Sequence, residues 1–83
     1  MIFLIFTSEG LLEAAPEIQT EKASVWLNPD LKNHIELPNL AAAGCDYYFL
    51  PEHADPASEK SVINALSHVE KNSRDNEIYV EYL

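Results

Sequence analysis

NPDLKNHIELPNLAAAG, residues 28–44, separates two ways of folding this chain. Asn28-Pro29-Asp30 reads as a turn or helix start, and Ile35-Glu36-Leu37 as a short extended piece. Asn39 to Ala43 reads as a single helical turn stopped by Gly44, a residue suited to a left-handed terminator. As a mere loop the segment is long for a hairpin. As a carrier of a full helix it turns the connection into a crossover, and the strands on either side become parallel.

Those flanking strands are legible on both sides. Upstream, Ala23-Ser24-Val25-Trp26-Leu27 places Val25 and Leu27 on one face and Trp26 on the other. Further back, Ile2 to Phe6 is an unbroken apolar run, the pattern of a central strand covered on both faces. Between them Ser8 can cap a helix with Leu11, Leu12 and Ala15 on one side, which Pro16 should end or kink. Downstream, Cys45 to Leu50 is a third strand closed by Pro51. Asp55 and Pro56 suit the start of the main helix, in which Val62, Ile63, Leu66 and Val69 recur at helical spacing with Glu59, Lys60, Ser67 and Lys71 facing away. Asn72 to Asn76 breaks it, and Ile78, Val80 and Tyr82 alternate with Tyr79, Glu81 and Leu83 in a last strand.

The order strand, helix, strand, strand, helix, strand is that of an α+β split βαβ (ferredoxin-like) domain. Its four-stranded sheet carries both helices on one face, and the first and third strands pair in the centre. Glu77 and Glu81 suit the last strand to an exposed edge. The alternative is an α/β domain with a mainly parallel sheet, formed if residues 28–44 hold a helix. Either way the 83 residues make a single domain, 1–83.

Composition narrows the function. Five Lys or Arg stand against fourteen Asp or Glu, a formal net charge of −9. Direct binding to nucleic acid or to an anionic membrane is disfavoured, and a basic protein partner is favoured. Two glycines and one cysteine leave no Gly-rich phosphate loop, no intramolecular disulfide framework and no Cys-rich zinc site. The apolar run at residues 1–6 is short for a signal-peptide core or a membrane span, so a cytoplasmic protein is expected, and a lone Cys45 agrees with a reducing compartment.

Polar groups gather at the end of the third strand in Glu52, His53 and Asp55, and Thr7 and Ser8 would lie on the same sheet edge. Ser8, His53 and Asp55 are therefore the candidate ligand-binding residues, although helix capping and a solvated loop explain each of them. Cys45 cannot reach His53 from the same strand, because the five steps to Leu50 alone open roughly 16 Å. His34 and Glu36 share a face of an extended piece, and His68 borders the apolar stripe of the main helix. Two ligands fall short of the three or four a metal needs, so neither metal nor cofactor is expected.

The acids recur at 9, 13, 17 and 21, a spacing that lines them along one helix face if the helix survives Pro16, which proline opposes. The surplus charge suits a solvated surface, a dock for a basic partner, or mimicry of a nucleic-acid backbone by an inhibitor. The expected role is a non-enzymatic interaction module acting through self-association or a basic partner. The rival is a small dimeric enzyme or ligand-binding domain with a pocket near His53. With helices on one face only, large apolar groups remain on the other, and Phe3, Ile5, Trp26, Tyr48 and Tyr79 are the candidate interface of a homodimer, unless residues 28–44 fold across them with Leu31, Ile35, Leu37 and Leu40. Self-repulsion among the carboxylates implies that moderate salt or mild acidification raises the melting temperature. A melting temperature that stays flat from low to roughly physiological salt is the contrary result.

Overall fold

Residues 28–44 do hold a helix. The computed structural model describes residues 1–81. Its elements run β1 (Ile2–Ile5), α1 (Ser8–Glu21), β2 (Ser24–Leu27), a single 3-10 turn (Pro29–Leu31), α2 (Leu37–Ala42), β3 (Tyr47–Phe49), α3 (Glu59–Asn72) and β4 (Ile78–Val80). Tyr82 and Leu83, expected in the last strand, lie outside the described residues. The four strands form one sheet in the order β3-β2-β1-β4, and every pairing is parallel.

The small sheet-and-helix domain read from the sequence is found, in its α/β form. The split βαβ arrangement is not found: β2 lies between β1 and β3, β3 stands at an edge instead of beside β1, and no pair among the described residues is antiparallel. The 3-10 turn and α2 supply the crossover that carries β3 past β2 in the same direction, and Gly44, at φ 83°, closes α2 in the left-handed region as its missing Cβ allows.

The order also corrects the expectation of helices on one face. Crossovers between parallel strands are right-handed, so steps from β1 to β2 to β3 place their helices on one face, and the return step from β3 to β4 places α3 on the other. Two apolar layers result. Phe3, Ile5, Val25 and Leu27 pack under α1 and α2 with Leu11, Ile18 and Leu40, whereas Ile2, Leu4 and Trp26 pack under α3 with Ala65 and Val69. Of the expected interface residues, Phe3, Ile5 and Trp26 are therefore buried by the chain's own helices. Tyr48 and Tyr79 remain 45% and 46% exposed, on opposite edge strands and opposite faces. Leu31, Leu37 and Leu40 cover the sheet from the long segment, whereas Ile35 stays in solvent.

Two helix expectations change. Pro16 lies inside α1, on its exposed side, and the helix runs through it to Glu21. An internal proline costs about 3 kcal/mol; burial of Leu11, Ala15 and Ile18 against the sheet offsets it, since packing outweighs propensity in short helices. Glu9, Glu13, Glu17 and Glu21 consequently line one exposed face. The main helix starts at Glu59 instead of Pro56, with the Ser58 hydroxyl accepting from the Ser61 N–H at 3.3 Å. Asp55 forms a turn, its Oδ1 accepting from the Ala57 N–H at 2.9 Å. The buried positions are Ala65 and Val69, flanked by Val62 and Leu66, and this rotates Ile63 out of the core to 55% exposure.

Chemical denaturation separates the two kinds of position. Ile18→Ala is expected to cost about 2–5 kcal/mol, and Ile63→Ala to stay within about 0.5 kcal/mol of the parent. Equal losses would place Ile63 in the core.

Candidate functional site

In a parallel sheet the loops after the strands share one edge, and side chains there converge at the point where the strand order reverses. Here that point is β1, flanked by β2 and β4. Two side chains close it. The Glu81 carboxylate, just past β4, accepts from the Phe6 N–H at 2.7 Å, the Thr7 N–H at 3.0 Å and the Thr7 hydroxyl. Thr7, not Ser8, caps α1, taking the Gly10 N–H on its Oγ1 at 3.0 Å. Asn28, fully buried after β2, donates through Nδ2 to the carbonyls of Phe6 at 3.0 Å and Ala54 at 2.8 Å, and accepts on Oδ1 from the Ala54 N–H at 2.7 Å.

Ser8, His53 and Asp55 come to the same edge without meeting one another. Ser8 instead hydrogen-bonds His34, 2.8 Å from Oγ to Nε2, and His53 pairs with Asp30, 3.1 Å from Nδ1 to Oδ1, with both side chains 60% exposed. The Ser8–His34 contact has the distance of an activated nucleophile but the opposite polarity. The Glu36 N–H donates to His34 Nδ1 at 3.0 Å, so Nδ1 is the ring's acceptor and Nε2 carries its proton. Nε2 then donates to Ser8 Oγ and is not placed to take the serine proton. The same bond engages the His34–Glu36 pair locally, and among the described residues no three His, Cys, Asp or Glu side chains gather as a metal site. Cys45 is buried, its thiol directed to the Ile18 carbonyl at 3.5 Å. His68 leaves the helix surface to stand edge-on to Trp26, ring centres 5.3 Å apart.

Two concave regions border these side chains. One, of about 290 Å³, lies between the end of β3 and α3, with His53 and His68 in its walls. The other, of about 330 Å³, runs between α1 and β4, with Glu13 on one side and Tyr79 on the other. It exists because α1 and α2 cover the inner strands and leave β4 bare on this face, where Tyr79 rests on Phe3 at 5.5 Å between ring centres. The carboxylates converge on that tyrosine. Glu77 chiefly, with partial burial and the more distant Glu17 and Glu21, holds its phenol above the usual tyrosine range.

No family model, curated protein or solved structure matches the chain. The chemistry at these two regions thus stands on their geometry alone.

Sequence reasoning missed the Asn28 clamp, the Glu81 cap and the tyrosine groove. Spacing of four among the glutamates was the one available signal, and Pro16 masked it. The tautomer of His34 is open to direct measurement: long-range proton–nitrogen NMR at mildly alkaline pH should show an unprotonated Nδ1 and a protonated Nε2. The reverse assignment would restore His34 as an acceptor for the Ser8 proton.

Proposed function

We propose that this chain is a non-enzymatic interaction domain that docks a basic segment of a partner protein in the groove between α1 and β4. The supporting observation is the row of Glu9, Glu13, Glu17 and Glu21 along α1 beside the half-exposed ring of Tyr79.

Such a row works against its own helix. Like charges four residues apart repel, and Glu21 stands in the last turn, where the helix dipole disfavours an anion and the nearest cation is Lys22 at the C-cap. Among the described residues no Lys or Arg forms a salt bridge with any of these glutamates. A lysine or arginine from a partner would relieve both penalties, and its cationic head can lie on the face of Tyr79 as cation–π geometry requires. The surrounding negative field would hasten encounter and select against acidic partners. A second copy brings the same charge to the same groove, which favours a basic partner over self-association through this face.

A lysine- and arginine-rich decapeptide, titrated calorimetrically, serves as the probe. Binding should weaken steeply with salt, fall further in the Glu17→Gln, Glu21→Gln double variant, and fall in Tyr79→Leu. In the bound state the Tyr79 phenol should titrate nearer its ordinary range, because the peptide's cations offset the carboxylates. Binding insensitive to salt, or unchanged in both variants, would overturn the proposal.

A further inference from the structure

We infer that the cleft between the end of β3 and α3 is a binding site for a small organic cation, an amine carried on an apolar body. This is independent of the docking of a basic segment on α1, which lies on the opposite face of the sheet.

The cleft opens at the carboxyl end of the edge strand β3, away from the point at β1 where the strand order reverses. Its volume, about 290 Å³, is near the lower end of small-molecule sites. Leu50, Ala54 and Ala65 are buried and give it an apolar floor. Its mouth is held still from three sides: the Leu50 N–H bonds the Leu27 carbonyl at 2.8 Å, the Ala54 N–H bonds Asn28, and the Asp55 N–H bonds the Ser61 hydroxyl at 2.8 Å. A site shaped before its ligand arrives loses less entropy on binding.

Among the polar groups of the cleft, Ser61, Asn64 and His68 can both donate and accept, whereas the charged group, Glu52, only accepts. Asp30, as a carboxylate, only accepts hydrogen bonds, so the proton of the His53 pair sits on Nδ1 and the neutral ring keeps Nε2 as an acceptor. Glu52 adds a carboxylate, and no lysine or arginine is among the residues lining the cleft. Acceptors and negative charge around an apolar floor suit a ligand that donates hydrogen bonds and carries positive charge. A ligand of the opposite sign would meet the Glu52 carboxylate with no lysine or arginine in the lining to offset it.

Tyramine and 4-hydroxyphenylacetate present the same ring with opposite charge, and titrating each into the full chain by NMR tests the assignment. Tyramine should move the amides of Leu50, Ala54 and Ala65 and the ring signals of His53 and His68 toward saturation, while 4-hydroxyphenylacetate leaves them in place. Glu52→Gln should weaken tyramine about tenfold, the loss expected of one charge-assisted contact. Asn64→Lys, a change at an exposed position of the lining, should abolish binding while the rest of the spectrum reports an intact fold. Equal shifts with both probes, shifts confined to α1 and Tyr79, no shifts at all, or unaltered binding in Asn64→Lys would each overturn the assignment. The α1 and Tyr79 outcome would leave the docking proposal standing, which separates the two.

Discussion

One buried amide holds the carboxyl edge of this sheet together. Asn28 is the polar residue of the core, and its three hydrogen bonds join the end of β1 to the start of the β3–α3 loop through a residue that follows β2. Each bond answers a backbone group that the fold has removed from water, and leaving such a group unanswered costs about 1–3 kcal/mol. An apolar residue of similar shape would fill the space and strand all three. The carboxyl ends of the inner strands are therefore spaced by hydrogen bonds as well as by packing, and the cleft between β3 and α3 is bounded by the resulting frame at Ala54.

Much of the architecture was legible in the residues. Ile2 to Phe6 read as a strand covered on both faces because parallel sheets demand unbroken apolar runs, and α3 showed its helical period. The choice between topologies lay in residues 28–44, where a six-residue helix leaves too short a period to stand out from a loop. Pro16 misled for a related reason: its local penalty is visible in sequence, whereas the tertiary contacts of Leu11, Ala15 and Ile18 that offset it are not. The supposed free face of the sheet vanished with the topology, since a parallel order distributes helices over both faces.

The candidate side chains were legible in their place in the fold but not in their partners. Glu52, His53 and Asp55 lie after β3, as their order in the chain implied. That Ser8 would meet His34, and His53 would meet Asp30, depended on where the 28–44 segment returned, and both new partners come from that segment. The polarity of the serine–histidine contact rests on one backbone N–H, that of Glu36, which no spacing of side chains announces.

Gly10 and Glu81 lie far apart in the chain and share one space in the fold. A side chain at position 10 would occupy the space of the Glu81 carboxylate and drive it from the three donors it joins at the end of β1. Substitution at either position alone is thereby penalised. The two sites should drift together, so that a descendant with a larger residue at 10 is expected to carry a shorter or neutral one at 81. Such paired change would be a record, readable in sequences, of how β4 is fastened to the head of α1.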